Sequence, residues 1–305
     1  MKDKKFVLVL TGFTVGVLLV TAILMLIRES NMQCRITSAS YHRSSFLAGS
    51  LPIPQVVHQS WYTKDLSPFL TKIRVANQEL NPGVHFVLYD DRDAHSLIRS
   101  HFEPSVYEAY VTLNPKLGAL RADFFRYCVL YLRGGVYMDI KIQCKTKLFG
   151  RLVLPDDLGV LDEPRLWTGS RSVLAYHTHE QWAMAFVPRH PYMLRMITRL
   201  VERISARVTP VRLAPCCYTG AITVMKDRVM RLTGPDALAQ AIRDITLDAG
   251  VQHRSVRLGD YLRYKEIISE YRDGRLHYSL FDEATPLYVE ARLPSEGEVT
   301  GAATS

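Results

Sequence analysis

The amino-acid sequence predicts an α/β fold with a mixed sheet, and three observations support that prediction. Helical and strand-like segments alternate between residues 53 and 187, which favours parallel strands joined by right-handed crossovers. Residues 117–133 carry apolar side chains at helical spacing, and Gly134 and Gly135 then break the pattern ahead of an apolar run at 136–140. The 305-residue chain is 48% hydrophobic and 22% charged, which is ordinary for a globular protein.

Boundary residues mark the individual elements. The Asn-Pro-Gly run at 81–83 ends the first helix, and the aspartates within 90–93 lie where the second helix is capped. The predicted elements are strands at 53–58, 84–89, 136–140, 158–161 and 182–187, and helices at 65–80, from about 91, at 117–133 and at 192–208.

The end of the strand at 136–140 predicts a binding site. Strand alternation would point Asp139 and Lys141 to the same side, and polar groups at the carboxyl end of such a strand face the ligand crevice. The formal net charge of +8 suits a phosphate-bearing ligand or an anionic membrane surface. Basic residues are spread along the chain without a basic arm or zinc-finger spacing, so we expect no nucleic-acid partner. An anionic ligand is therefore expected at this strand end.

The N-terminus predicts a membrane anchor. Residues 6–27 contain no charged side chain and are long enough to cross a bilayer. Lys2, Lys4 and Lys5 precede them, so the positive-inside bias keeps the N-terminus in the cytoplasm and places the remainder across the membrane. A cleaved signal peptide is the alternative, although its apolar region would be only about 7–15 residues long.

These features predict a single-pass type II membrane protein. Its segments are a cytoplasmic tail at 1–5, a transmembrane signal anchor at 6–27, a Ser-rich stem at 28–50, a catalytic or binding domain at 51–292 and a flexible tail at 293–305.

The chain has no G-x-G-x-x-G after a first strand, no Walker A loop, no H-E-x-x-H and no G-x-S-x-G. These absences argue against dinucleotide-binding, P-loop, zinc-protease and serine-hydrolase classes.

Several ordered segments carry a family resemblance. They are IPQVVHQSW at 53–61, RADFFRY at 121–127, GGVYMDIK at 134–141, QWAMAFVPRHP at 181–191 and RLTGPDAL at 231–238. A sixth segment, HYSLFDEATPLY at 277–288, has a weaker resemblance. Together they resemble the glycosyltransferase family that has a DXD-containing sugar-binding region. That family includes yeast-type Golgi initiating α-1,6-mannosyltransferases, sphingolipid mannosyltransferases and clostridial glucosylating toxins.

The resemblance implies a GT-A type nucleotide-sugar-binding fold with a Rossmann-like mixed sheet behind the transmembrane helix. It implies a retaining transferase that moves a hexose (mannose, galactose or glucose) from a nucleoside-diphosphate sugar to a glycan or lipid acceptor. With the predicted anchor, it implies a Golgi membrane protein with a lumenal catalytic domain. The alternative is a catalytically inactive nucleotide-sugar-binding or scaffold protein on the same fold. The sequence makes no prediction of oligomeric state.

The resemblance also assigns roles to individual residues. Asp123 and Arg126, one helical turn apart, would hold the donor sugar hydroxyls and phosphate, although an ordinary i,i+3 ion pair would have the same spacing. Asp139 matches the first acid of the DXD motif, near the ribose and the metal. The donor-binding set is Trp61 (stacking on the base), His58, Asp123, Arg126, Gly135 and Asp139, and the catalytic set is Asp139, Lys141, Asp123 and Arg126.

Lys141 departs from the family pattern, which has a second acid at this position. A protonated lysine cannot ligate a metal ion. Two outcomes remain open: Asp139 and another carboxylate hold Mn²⁺ or Mg²⁺, or Lys141 supplies its positive charge directly to the diphosphate. Loss of activity is a third outcome, which the presence of Asp123, Arg126 and Asp139 makes less favoured.

Overall fold

The computed structural model describes residues 52–166, 177–209, 224–249, 253–264, 281–282 and 284–290. The predicted tail, anchor and stem at 1–50 and the C-terminal tail at 293–305 lie outside these ranges, so the predicted segment boundaries stay predictions. Within the described ranges, none of the helices has both the length and the apolar character needed to cross a bilayer.

The order of elements is that of an α/β domain. The helices are α1 (Pro68–Leu80), α2 (Asp91–His101), α3 (Pro104–Thr112), α4 (Gly118–Arg133), α5 (Pro191–Ser205), α6 (Val224–Leu232), α7 (Pro235–Ala249) and α8 (Leu258–Tyr261). The strands are β1 (Val56–Ser60), β2 (His85–Tyr89), β3 (Gly135–Met138), β4 (Ile142–Cys144), β5 (Gly159–Asp162), β6 (Arg165–Leu166), β7 (His177–Thr178), β8 (Ala183–Phe186), β9 (Arg254–Val256) and β10 (Leu262–Tyr264).

The central sheet is mixed, as predicted. Its strand order is β2-β1-β3-β8-β5-β9. Strand β1 runs parallel to β2 and β3, whereas β8 runs antiparallel to both β3 and β5. Two short strand pairs, β4 with β10 and β6 with β7, lie outside this sheet. Because β1, β2 and β3 are parallel, their carboxyl ends meet at one edge, which is where a crevice forms in open α/β sheets.

Helix α4 is the buried helix that delivers side chains to this edge. Its described residues from Asp123 to Leu130 are all buried, and its stripe of apolar side chains joins the main core. The helix ends at Gly134, which has a φ of +61°, as the C-cap prediction required. Gly135 has a φ of +95°, and a Cβ there would lie 2.5 Å from Val56 Cγ1. Glycine is therefore needed where β3 starts against β1.

Two strand predictions are corrected by the structure. The first strand is Val56–Ser60 rather than 53–58, since its pairing with β2 is in register from Val56. The strand predicted at 136–140 ends at Met138. Asp139 and Ile142 instead close a turn, in which the Ile142 N–H donates to the Asp139 carbonyl at 2.9 Å. Asp139 and Lys141 are thus in a turn, and strand alternation does not set their directions.

Candidate functional site

A buried cluster of two acids and one arginine lies below the carboxyl end of β3. Asp123 and Arg126 come from successive turns of α4, and Arg126 Nη2 lies 3.0 Å from Asp123 Oδ1. The same nitrogen lies 3.2 Å from Oδ1 of Asp139, the residue after β3. The Asp123 and Arg126 side chains are 7% and 6% exposed, and that of Asp139 is 24% exposed. We call these three residues the carboxylate–arginine cluster, and Asp139 is its solvent-facing member.

Arg126 is fixed by further contacts on both sides. Its Nη1 donates to the Gln181 carbonyl at 2.6 Å, and its guanidinium lies 4.7 Å from the centroid of the Tyr137 ring. Burial alone would lower the pKa of Arg126, but Asp123, Tyr137 and Asp139 together hold it above its ordinary value. The arginine is therefore a permanent buried cation that links α4 to the residues flanking β3 and β8.

Asp123 is held from its other side by the segment that joins α6 and α7. The Thr233 hydroxyl donates to Asp123 Oδ2 at 2.7 Å. The Tyr127 hydroxyl lies between the Gln181 side-chain oxygen and the Thr233 carbonyl, which is 2.8 Å away. Burial raises the pKa of the Asp123 carboxyl, and the Arg126 cation opposes that rise. An exposed i,i+3 ion pair has no buried hydrogen-bond partners of this kind. The pair of Asp123 and Arg126 is therefore part of a buried network of hydrogen bonds and charges.

Lys141 lies outside that cluster but is connected to it. Its Nζ lies 4.3 Å from the centroid of the Tyr264 ring, and Tyr264 is 45% exposed. The Tyr264 ring meets the Trp182 ring edge-on at 5.8 Å. The backbone N–H of Asp139 donates to the Trp182 carbonyl at 2.8 Å. Trp182 and Tyr264 therefore connect the positions of Asp139 and Lys141.

The described residues at this edge include one acid of the predicted DXD-like motif. A divalent magnesium or manganese ion prefers several oxygen ligands, and the family pattern supplies two acids. Here Asp139 is the single acid of the motif, and one of its oxygens already contacts Arg126. Among the residues that the structure describes, no three His, Cys, Asp or Glu side chains converge as a metal site. The predicted metal role of Asp139 gains no support from this geometry.

His58 and Gly135 belong to the framework beneath the site. His58 Nε2 lies 2.9 Å from the Gly134 carbonyl, and its Nδ1 lies 3.0 Å from the Tyr89 hydroxyl. Burial lowers the pKa of His58 to about 4, so the ring is neutral at physiological pH. A neutral ring with both nitrogens engaged has a structural role, and it holds the start of β3 against β1.

Trp61 lies at the same sheet edge, directly after β1. Its N–H donates to the Tyr89 carbonyl at 2.9 Å, and its half-buried ring contacts Tyr62 with centroids 5.3 Å apart. In the described part of the chain, the buried Trp61 Nε1 has no hydrogen-bond partner. The structure thus places Trp61 at the edge shared with Asp139, in contrast to a wholly internal tryptophan.

The sequence prediction missed the side chains that position the cluster. These residues are Tyr137, Gln181, Trp182, Thr233 and Tyr264. Gln181 and Trp182 begin one of the segments that carried the family resemblance, and Tyr137 and Thr233 lie in two others, so four of the five residues were in segments that the sequence analysis singled out. Tyr264 had no signal, because it reaches the site only through pairing of β10 with β4.

A separate surface cavity of about 290 Å³ lies between β2 and α2. It is lined by residues that include Lys64, Tyr89, Asp93, His101 and Arg133. Lys64 is paired with Asp93 at 2.7 Å, and Arg133 Nη1 donates to the Tyr89 hydroxyl at 3.0 Å. No member of the carboxylate–arginine cluster lines this cavity, so it is distinct from the site predicted at the end of β3.

The comparison with protein families identifies the region of the chain that contains these residues. Residues 70–161 match the family described as "Glycosyltransferase sugar-binding region containing DXD motif". The matched region runs from α1 to β5 and contains Asp123, Arg126, Asp139 and Lys141. The resemblance inferred from the sequence is thereby confirmed over that region.

Similar curated proteins include two named mannosyltransferases and a mannosyl phosphorylinositol ceramide synthase. A mannosyl phosphorylinositol ceramide synthase of Saccharomyces cerevisiae is 28% identical over 154 residues, which cover 48% of this chain and 35% of that protein. An inositol phosphoceramide mannosyltransferase of Schizosaccharomyces pombe is 24% identical over 162 residues, 52% of this chain and 40% of that protein. The initiation-specific α-1,6-mannosyltransferase of Candida albicans is 34% identical over 97 residues, 30% of this chain and 25% of that protein. The chain therefore spans less than half the length of these relatives.

Among solved structures, the PaToxG glycosyltransferase aligns over 73% of this chain and 83% of its own, with a TM-score of 0.44 and 18% sequence identity.

The cluster geometry predicts an unequal response to two arginine substitutions. We expect Arg126→Met to lower the free energy of unfolding by about 3–5 kcal/mol, because it leaves the buried Asp123 carboxylate without its counter-charge. Thr233→Val should cost about 1–3 kcal/mol through loss of one hydrogen bond to Asp123. The matched control is Arg99→Met at an exposed position on α2, which should change the value by less than about 0.5 kcal/mol. Denaturant unfolding followed by tryptophan fluorescence measures all three, and equal losses for the two arginine variants would contradict the buried-cluster account.

Proposed function

We propose that this protein is a glycosyltransferase that moves a hexose from a nucleoside-diphosphate sugar to a hydroxyl group of a glycan or lipid. The observation that carries the proposal is the carboxylate–arginine cluster at the end of β3, inside the region that matches a glycosyltransferase sugar-binding family. The relatives named above act, by their names, as mannosyltransferases, so mannose is the first donor sugar to test.

The sheet supports a GT-A type fold for this activity. The parallel strands β2, β1 and β3 form the half in which a nucleotide would lie against the carboxyl ends of the strands. The antiparallel β8 lies next to β3 in the sheet, and Gln181 and Trp182, which precede β8, contact Arg126 and the Asp139 backbone. We assign the base to the Trp61 side of this edge, where an aromatic face is available for stacking.

The remaining donor groups are assigned along the same edge. The ribose and diphosphate would lie at Asp139 and Lys141, beyond the end of β3. Asp123 and Arg126 are buried beneath them, so their first task is to hold Asp139 in one orientation. A fixed carboxylate orients hydroxyl groups of the donor without reorganisation when the reaction occurs.

The proposed reaction breaks the bond between the anomeric carbon and the donor phosphate oxygen. The bonding electron pair stays on that oxygen, so the nucleoside diphosphate leaves with the negative charge. The acceptor hydroxyl oxygen forms the new bond to the anomeric carbon, and its proton passes to the departing phosphate oxygen on the same face. This front-face course retains the anomeric configuration and requires no protein nucleophile.

Release of nucleoside diphosphate tests this function. The full-length protein is incubated with GDP-mannose, UDP-glucose and UDP-galactose, with and without Mn²⁺, and we expect turnover of one donor. Asp139→Asn should lower that turnover roughly 10- to 100-fold, since interactions with a charged group contribute about 1.5–3 kcal/mol. Asp156→Asn, at an exposed turn position, is the matched control and should keep the wild-type rate. Nucleotide binding without turnover of any sugar donor would instead support a catalytically inactive binding protein.

We also assign the protein to a membrane, as a single-pass type II protein of the Golgi with a lumenal catalytic domain. Support comes from the uncharged stretch at 6–27 and the three lysines before it. The full-length protein should stay with the membrane fraction after an alkaline carbonate wash, and a variant lacking residues 1–27 should be released. Release of the full-length protein by the same wash would contradict a spanning anchor.

A further inference from the structure

We propose that Lys141 supplies the positive charge that stabilises the leaving diphosphate, and that donor binding and turnover therefore need no divalent metal ion. The proposal rests on the function proposed above and concerns the same site. It follows from the charge of the cluster, the donor set beside it and the contacts that hold Lys141.

The carboxylate–arginine cluster cannot by itself attract a diphosphate. One guanidinium faces two carboxylates, which leaves a net negative charge when both acids are ionised. The more exposed of the two acids, Asp139, lies where the diphosphate is expected. A further positive charge is therefore required at this edge, because like charges at contact distance repel strongly outside bulk water.

The residues that the structure describes offer a divalent ion few ligands at this position. The DXD spacing would offer two carboxylates, but the second position holds Lys141. The remaining carboxylate is that of Asp139, and its Oδ1 already lies 3.2 Å from Arg126 Nη2. Within the described part of the chain, a metal ion at Asp139 would thus meet one carboxylate that is already engaged by Arg126. Lysine in place of the second acid removes a possible metal ligand and adds a positive charge at the same position.

Lys141 is held where that charge can act. Its ammonium group lies over the Tyr264 ring at 4.3 Å, and Tyr264 pairs with Ile142 in the β4–β10 ladder. Trp182 contacts the Tyr264 ring edge-on and accepts the Asp139 N–H through its carbonyl. These contacts fix the position of the Lys141 ammonium group relative to Asp139, and Tyr264 acts as the positioning residue of Lys141. An ammonium group carries three N–H donors, which are the kind of group that phosphate oxygens accept from.

In the transfer step, Lys141 stabilises charge without exchanging a proton. When the bond to the anomeric carbon breaks, the electron pair stays on the phosphate oxygen, and N–H groups of Lys141 donate hydrogen bonds to it. The acceptor proton reaches that oxygen as described above, so Lys141 begins and ends the step as an ammonium ion. This is electrostatic stabilisation of a leaving group by a preorganised cation.

Nucleotide binding without metal tests the proposal independently of turnover. Calorimetry on the full-length protein measures the Kd of UDP and GDP in EDTA and in Mn²⁺. We expect the Kd of the preferred nucleotide to agree within about twofold between the two conditions. Lys141→Ala should raise the Kd in EDTA roughly tenfold, the size of one charge-assisted hydrogen bond. The matched control is Lys147→Ala at an exposed position, which should leave the Kd unchanged.

Two further variants separate the roles of charge and position. Lys141→Asp restores the two-acid spacing, and we expect it to bind nucleotide weakly in EDTA and to recover in Mn²⁺. Tyr264→Leu should raise the Kd in EDTA, whereas Tyr264→Phe, which keeps the ring, should not. If Lys141→Asp is not rescued by Mn²⁺ and Lys141→Ala binds as wild type does, the assignment of Lys141 is wrong.

The outcomes for this proposal and for the proposed function are distinguishable. Metal-independent nucleotide binding that depends on Lys141, without turnover of any sugar donor, supports the Lys141 assignment and overturns the enzymatic function. Turnover that EDTA abolishes and Mn²⁺ restores supports the function and overturns the Lys141 assignment. Absence of UDP and GDP binding in every condition overturns both.

Discussion

The interaction on which the site depends is the buried contact of Arg126 with two carboxylates. A guanidinium removed from water is unfavourable unless its surroundings supply negative charge and hydrogen-bond acceptors. Asp123, Asp139 and the Gln181 carbonyl supply them, and each comes from a different part of the chain. The arginine therefore ties α4 to the end of β3 and to the segment before β8. Any shift of one of these elements would leave a buried charge uncompensated.

Packing around the cluster divides the charged residues into two groups with different tasks. Asp123 and Arg126 are buried and can fix geometry, whereas Asp139 and Lys141 keep access to solvent and can meet a ligand. Gly135 lets the start of β3 pack closely against β1, and Asp139 follows the opposite end of the same strand. Arg126, itself paired with Asp123, holds the Asp139 carboxylate from beneath.

Local sequence signals predicted much of the framework. The helix at 117–133, its glycine cap and the strand that follows were predicted because periodicity and the C-cap are properties of neighbouring residues. The spacing of Asp123 and Arg126 on one helix face was likewise readable. The first two residues of the turn from Asp139 to Ile142 were predicted as strand, because an apolar run does not reveal where its hydrogen bonds go. Tyr264 could not be predicted, since its place beside Lys141 depends on a strand pairing more than a hundred residues apart.

The most direct test of the central claim is a crystal structure of the full-length protein with its preferred nucleoside diphosphate, grown in EDTA. The account predicts the base on the Trp61 side, and diphosphate oxygens within hydrogen-bond distance of Lys141 Nζ, next to Asp139. Nucleotide bound instead in the cavity lined by Lys64 and Arg133 would contradict the assignment of the donor site to the carboxylate–arginine cluster.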